Sequence, residues 1–543
     1  MAYAGLGNDA RVDVETATIL LNIYWAWQAP LHNCVYRRSE SRSLELLFAV
    51  LTSPGFFRDM VMKGPYYSDF LLFVIYSHAS RHIQPSDPRY VVLQQGEIFL
   101  ERAKLLLLDE LKKDRPAVPT IQGLLILGGR QCAIGRNSEG WLYTGMAIRM
   151  ITDLGLHLAR RLPISATEPD DLETQKRLYL SAYAWDKSIS LCLGRPPSLT
   201  SMPYPDHCLY DKTDDLNPWQ PFYLGELESV YAARACYNSS TFSHFVKLST
   251  IINEAFKSVF GTKSRHATFA QLMGIEAKLS NFSRQLPFEL RMDENMAESS
   301  CPPPHICCLN ILYHTILILI YRPYFMNQGA YNDQEEALYD HAATVCTREA
   351  AAVNVFFQAY GRRFANKNQT YLLSYCVYTA ATIEVKQVSD PDPSISQAAF
   401  QRLATTLAML EEEARQTPGI RRSVEIIKAR LHKDGQVATA MVSGSDVFNP
   451  QAVPSNSHEP VSTGPVISPT PAQTHAGPDP FSMNAVTSHP IGLSNHSQNL
   501  HHSIETMSQW PSDGLSFDLY NIQVPDVGGG FVPDTLSWYS SSD

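Results

Sequence analysis

Between Met441 and Asp543 the chain has no Lys or Arg; nowhere does it have a Cys-x-x-Cys pair, a basic N-terminal leader or an apolar run of membrane-spanning length. Each absence excludes a class of function. Without paired cysteines at ligand spacing, a zinc finger or zinc ribbon is not encoded. The ten cysteines, at positions 34, 132, 192, 208, 236, 301, 307, 308, 346 and 376, are too sparse for a secreted disulfide scaffold. They read as small buried apolar residues. The opening Met-Ala-Tyr-Ala-Gly-Leu-Gly-Asn-Asp-Ala does not resemble a secretory signal, so an intracellular protein is expected. The longest apolar stretch, Ile311 to Ile320, is interrupted by His314. It reaches about half of the roughly 20 residues a helix needs to cross a bilayer, and no membrane partner is expected.

What is present is unevenly charged. The formal net charge is -10, from 44 basic and 54 acidic side chains. Nine of the acids lie after Met441: Asp446, Glu459, Asp479, Glu505, Asp513, Asp518, Asp526, Asp534 and Asp543. Setting them aside leaves 44 basic against 45 acidic side chains, so the body is nearly neutral. Nucleic-acid affinity comes largely from Lys and Arg displacing phosphate counterions, and no basic stripe supplies it. The nearest candidate, Arg421, Arg422, Lys428, Arg430 and Lys433, is interleaved with Val424, Ile427 and Leu431 at helical spacing. It reads as the solvated face of an outer helix.

Catalytic and metal-binding patterns are weak. Cys301-Pro-Pro-Pro-His305-Ile-Cys307-Cys308 holds zinc-binding atom types, but its spacing is wrong and it flows into an apolar helix. An all-helical synthase would need carboxylates along one helix face to hold magnesium and diphosphate. Asp170-Asp171 and Asp214-Asp215 are the candidates, yet Thr174 and Pro218 stand where a further acid belongs. Gly128-Gly129-Arg130 with Gly135 lacks the Gly-Lys-Ser/Thr of a phosphate loop and reads as a turn between helices. His501-His502 reads as solvated polar tract. No enzyme, catalytic residue or metal site is expected.

Helical periodicity runs through the first 435 residues. Apolar positions recur at three- and four-residue steps in Val14–Trp27, which Pro30 should end, in Tyr67–Ser80 and in Val91–Lys113, with Ile98, Leu105, Leu106 and Leu111 inward. The next helix spans about Glu139 to Leu154, with Trp141, Gly145, Ile148 and Ile151 on one face and Gly155 as a left-handed stop. Asp170 with Glu173 resembles a capping box, and Gly194-Arg195-Pro196-Pro197 breaks the far end. Between them Leu178, Ala182, Trp185, Ile189 and Cys192 mark a buried stripe. Further helices are expected at Leu227–Phe245, Phe269–Leu286, Ile306–Tyr321, Gln334–Tyr360, Thr370–Val385, Ser396–Glu413 and Arg421–His432. Strand alternation is hard to find. The expected fold is all-α: a large multi-helix regulatory domain over 1–435, followed by a disordered acidic tail.

After about Gly435 the composition turns to Pro, Ser, Thr, Asn, His and Gly, which cannot bury enough apolar area to offset ordering entropy, so 436–508 reads as a disordered linker. In 509–543, Trp510, Phe517, Leu519, Tyr520, Phe531 and Trp538 alternate with acids, as in an activation segment that offers aromatics to a coactivator groove.

Several of these pieces together resemble a known family. Trp141-Leu-Tyr-Thr-Gly-Met-Ala-Ile-Arg-Met-Ile-Thr-Asp-Leu-Gly-Leu-His157 resembles the signature helix of the fungal-specific transcription factor domain, the middle homology region of zinc binuclear cluster (Zn2Cys6) regulators. Lys176-Arg177, Trp185-Asp186-Lys187 and Leu193-Gly194-Arg195-Pro196-Pro197 resemble its second signature. Tyr24-Trp-Ala-Trp-Gln-Ala-Pro30, Tyr66 to Leu72, Tyr313-His314 and Tyr321-Arg-Pro323 agree, and the resemblance covers about Val14 to Tyr324 with a flavour of nitrate-assimilation regulators. Leu180 stands where the family often has Trp. The resemblance implies a nuclear regulator of RNA polymerase II genes, possessing in other members a six-cysteine zinc cluster that contacts promoter DNA. That pattern is absent here, so the expectation is either a truncated product, with zinc as cofactor only of the longer one, or a regulator that reaches DNA through a partner transcription factor. A homodimer and a small-molecule effector are further partners the resemblance admits. For the signature residues Trp141, Gly145, Arg149, Asp153, Gly155, His157, Arg177, Trp185, Asp186, Gly194, Arg195 and Pro196 a structural role is expected. Arg149, Asp153, Arg177 and Asp186 should pair as buried ions, and Arg195 should anchor the loop that follows it.

Overall fold

The computed structural model describes residues 12–35, 59–60, 62–158, 169–204, 212–260, 268–293, 301–326 and 333–433. The linker and the activation residues Trp510, Phe517, Leu519, Tyr520, Phe531 and Trp538 lie outside them.

Helix α1 (Val14–Ile23) starts at Asp13, whose side chain accepts the Thr16 N–H at 2.8 Å and satisfies one of the first-turn donors. Pro30 does not end it. The chain loosens into a π turn over Tyr24–Gln28 and continues through Ala29–His32, where Pro30 falls in the first turn and its missing N–H costs nothing. Asn33, at φ 48, stops the run in left-handed conformation.

Helix α2 (Asp69–Ala79), capped by Ser68, is buried from Phe70 to Ala79. The expected single helix over Val91–Lys113 is broken at Gln94-Gln95-Gly96, all three at positive φ (47°, 51° and 85°). Helix α3 (Glu97–Glu110) therefore starts afresh with a different face inward. Phe99, Leu100, Ala103 and Leu107 are buried, while Ile98, Leu105 and Leu111 are 40%, 59% and 45% exposed.

The glycine run expected as a turn is inside helix α4 (Val118–Ala133), which is buried from Pro119 to Ala133. It hid from periodicity because it is buried all round, Thr120, Gln122, Arg130 and Gln131 included, so its polar positions mark no solvent face. Helix α5 (Asn137–Asp153) crosses it so closely that a Cβ on Gly128 would lie 2.6 Å from Thr144 Oγ1, and one on Gly140 would lie 2.7 Å from both Gly128 O and Cys132 Sγ. The crossing requires glycine on both sides.

Helix α6 (Pro169–Leu193) begins one residue before Asp170. A strand pair missing from the sequence reading follows, β1 (Pro218–Trp219) antiparallel to β2 (Arg234–Ala235), with Pro218 opposite Ala235. The helix expected over Leu227–Phe245 is accordingly split, into a short helical turn at Glu226–Val230 and, beyond β2, α7 (Asn238–Ala255). Helices α8 (Phe269–Gln285), α9 (Pro304–Met326), α10 (Asp333–Phe364), α11 (Tyr371–Val388), α12 (Pro393–Glu413) and α13 (Arg421–Lys433) lie close to the expected spans. By length and composition α9 is apolar enough to cross a membrane, but 89% of its most apolar stretch is buried inside the body. It is the central core helix, packed against α10 and α11.

An aromatic cluster ties the two ends of the body. Trp27 meets Trp219 edge-on at 5.5 Å and Phe364 at 5.6 Å, and Tyr360 lies 4.9 Å from Phe364. Both indole N–H groups are used, Trp27 Nε1 donating to Phe222 O at 2.8 Å and Trp219 Nε1 to Ala26 O at 2.9 Å.

The glycine crossing predicts opposite outcomes for two substitutions. Gly128→Ala should destabilise the protein by about 1–3 kcal/mol through overpacking. Gly145→Ala, whose added Cβ meets nothing within 4 Å, should stabilise it by up to about 1 kcal/mol through helix propensity. Chemical denaturation of the two variants checks both signs.

Candidate functional site

Two signature residues, Trp185 and Arg177, lie where α6 meets the end of the α1 run, Trp185 also against α4 and α5. Trp185 is seated by the glycines: a Cβ on Gly129 would lie 3.4 Å from its six-membered ring and 3.3 Å from His32 Cε1. Its Nε1 donates to Thr144 Oγ1 at 3.2 Å and its ring lies 5.0 Å from that of His32. Glycines missed as helix residues thus make the seat of a tryptophan the sequence did single out.

One residue on, Asp186 is wholly buried and pins the chain after the helix. Its Oδ1 accepts from Ser198 N at 3.0 Å, its Oδ2 from Leu199 N at 2.9 Å and from Lys187 Nζ at 2.8 Å. The Lys187 ammonium also donates to Leu199 O and lies 4.0 Å over the Tyr183 ring. Burial lowers Lys187 from its ordinary range, against the opposing pull of Asp186. Gly194, at φ 61, makes the reversal that brings the loop back. The anchor is therefore Asp186 with Lys187. Arg195, expected in that part, instead lies over the Trp141 ring at 5.4 Å, with Pro196 exposed beside it.

The expected ion pairing among Arg149, Asp153, Arg177 and Asp186 does not occur. Arg149 and Asp153 are exposed, because α5 turns that face outward once its glycine edge is committed to α4. Arg177 pairs within its own helix, Nε to Glu173 Oε1 at 2.5 Å, and reaches Asn33 Oδ1 at 2.6 Å and Ser239 Oγ at 3.2 Å. Glu173 is thus the partner of Arg177; the capping box expected with Asp170 involves a side chain outside the described residues. Arg177 joins α1, α6 and α7 at one buried point. Gly155, at φ 72, closes α5 as expected, and His157 is half-buried in the turn Leu156–Leu158.

Asp214 and Asp215 hold the start of α7. Asp214 accepts from Asn238 Nδ2 at 2.8 Å and Ser239 Oγ at 2.6 Å, and Asp215 Oδ1 accepts from Ser240 N at 3.0 Å. Acids at a helix N-terminus oppose its dipole favourably. In the cysteine-proline segment, Cys301 Sγ lies 3.9 Å from Cys307 Sγ, and His305 Nε2 bonds Cys236 O at 2.6 Å, with burial taking that imidazole down to about 4. Among the described residues, no three His, Cys, Asp or Glu side chains group as metal ligands.

Sequence reasoning missed two polar centres. Arg130, fully buried, donates to Ser77 O at 3.1 Å, Gln95 O at 3.3 Å and Glu97 Oε1 at 2.9 Å, clamping the left-handed turn before α3. Arg81 donates to Gln416 O at 2.7 Å and Thr417 Oγ1 at 3.1 Å, tying α2 to the turn after α12. Beside it burial drives Glu413 up to about 8, only partly opposed by Thr417 and Arg81, and takes His82 down to about 3. Glu384 rises to about 7 by burial despite Arg402. A lone Arg after the apolar run Leu124 to Leu127 is the signal that could have found the first centre; Arg81, among His78, Ser80 and His82, gave none.

Two predictions follow from these networks. Asp186→Ala strands the Lys187 ammonium in the core and should cost about 3–5 kcal/mol, with faster hydrogen exchange at the Ser198 and Leu199 amides. For pH, the acids raised in the fold bind protons that the unfolded chain has lost, so their stabilising contribution is full at low pH and disappears as pH rises through about 7 and 8. The depressed His32 and His82, at about 4 and about 3, act oppositely and only below their ordinary 6.5. Between pH 6.5 and 8 the protein should therefore lose stability, and Glu413→Gln should flatten the fall by about 1–2 kcal/mol; urea titrations across that range read it.

The comparisons bear on this arrangement. The sequence model of the fungal specific transcription factor domain matches residues 21–299. An uncharacterized transcriptional regulatory protein of Schizosaccharomyces pombe is 28% identical over 57% of this chain and 50% of its own length. The nitrogen assimilation transcription factors nirA of Emericella nidulans and nit-4 of Neurospora crassa are 24% and 22% identical over 69% and 76% of this chain, and over 40% and 36% of their own lengths. The chain thus spans half or less of these relatives.

Proposed function

Because the chain belongs to the fungal specific transcription factor domain family, we propose that it is a regulator of RNA polymerase II transcription whose helical body carries the regulatory part and whose tail carries activation. The observation that carries this reading is the family match across residues 21–299, with relatives named as transcriptional regulators and nitrogen assimilation transcription factors. In this reading 1–435 is the regulatory body, 436–508 a linker and 509–543 the activation segment. The body is nearly neutral and its described helices carry buried cations already committed to backbone and carboxylate partners, so promoter DNA is reached through a zinc cluster in a longer product or through a partner transcription factor. The protein works in the nucleus. The signature residues Trp141, Arg177, Trp185, Asp186, Gly194 and Arg195 act by holding the body's shape, and no catalytic role is assigned to them.

The test is a reporter assay with the whole chain tethered to a heterologous DNA-binding domain in a fungal host. Activation is expected, and deletion of Met441 to Asp543 should abolish it while leaving the body folded. Full output from the deleted protein would remove the tail's part of the proposal.

A further inference from the structure

A cavity of about 340 Å³ opens between α8, α9 and α10, and none of its lining residues belongs to the signature helices α5 and α6. Its volume is near the lower end for ligand pockets, which suits a small molecule. The walls are aromatic. Phe282 and Tyr313 are stacked with ring planes 27° apart and centroids 6.2 Å apart, and Phe356 lies 5.4 Å from the His314 ring.

Two nitrogen-bearing side chains on this lining are held in place from behind. Arg291 donates through Nε to Leu286 O at 2.6 Å and through Nη2 to Arg284 O at 2.7 Å, carbonyls at the end of α8. These bonds fix the guanidinium plane and leave Nη1 without a hydrogen bond among the described residues. His314 bonds through Nδ1 to Glu349 Oε2 at 2.5 Å, and Glu349 also accepts from Arg348 Nε at 2.7 Å. Burial alone would raise the Glu349 carboxyl, but His314 and Arg348 more than offset it and hold it below the usual range. An ionised Glu349 keeps the proton on Nδ1 and orients the ring, so that a neutral His314 offers Nε2 as an acceptor and serves the cavity as wall. Asn310, also on the lining, is already used: it donates to Leu290 O and Ile306 O, each at 2.8 Å, and accepts from Met292 N at 3.1 Å. The one lining acid, Asp293, is exposed.

We propose that this cavity binds a small organic carboxylate with an aromatic or bulky apolar body, the carboxylate on Arg291 and the body against Phe282, Tyr313 and Phe356. Charge-assisted bonds from a pre-positioned guanidinium supply the anion preference, and the rings supply the apolar contact. The proposal concerns binding alone; the reporter assay tests the transcriptional reading separately, so either fails without the other.

The experiment is calorimetric titration of the full chain with three probes of one shape: 3-phenylpropionate, 3-phenylpropionamide and the cation 3-phenylpropylamine. The carboxylate should bind, the amide at least about tenfold more weakly, and the amine not at all. Arg291→Gln, at an exposed residue whose loss leaves the core intact, should weaken the carboxylate about tenfold and leave the amide unchanged. Phe356→Leu should weaken acid and amide alike. No heat from the carboxylate at millimolar concentration, an amine that binds as well as the acid, or an Arg291→Gln variant with unchanged affinity would each overturn the proposal.

Discussion

The contact on which the body depends is the close approach of α4 and α5 at Gly128 and Gly140. With a side chain on either glycine the two helices would have to move apart, and the floor beneath Trp185 would move with them. At the observed separation the indole lies across Gly129, reaches the Thr144 hydroxyl and meets His32. Seating Trp185 fixes the rotation of α6, and that rotation carries Arg177 to the end of the α1 run and Asp186 to the returning loop. A packing constraint between backbones thus decides where buried charges go.

Those charges are costly to bury unless matched. The structure meets the cost locally: Arg177 with Glu173 one turn away, Asp186 with the adjacent Lys187, Arg130 with Glu97 and two carbonyls. Each also ties down irregular backbone, whether the left-handed turn at Gln94-Gln95-Gly96, the start of α7 or the loop after Gly194. Buried ions here serve the connections more than the helices.

The family match ends at residue 299, but the core does not. Trp27 and Trp219 lie inside the matched region and Phe364 outside it, yet the three rings pack together. The long apolar α9 is covered by α10 and α11, both beyond the match. The helical body is one packed unit to Lys433, and the cavity between α8, α9 and α10 uses residues from both sides of that boundary.

Much of this was legible in the residues. Periodicity and terminal signals located most helices to within a few positions, and the signature placed Trp185, Asp186 and Gly194 at the point where α6 ends. The misreadings share a cause. Helix α4 has no solvent face to set a period, Ile98 and Leu105 turn outward because a left-handed break resets the helix phase, and Pro30 falls in the first helical turn after a π turn. What the sequence by itself determined is local: which segments are helical, where glycine ends them, and which family they resemble, because these depend on residues within a few turns of one another. Partner choice was decided only by tertiary structure. Arg177 finds Asn33 and Ser239, Arg81 finds Gln416, and Phe364 finds Trp27, since contacts between segments far apart in the chain follow from helix separations and rotations that no single segment encodes.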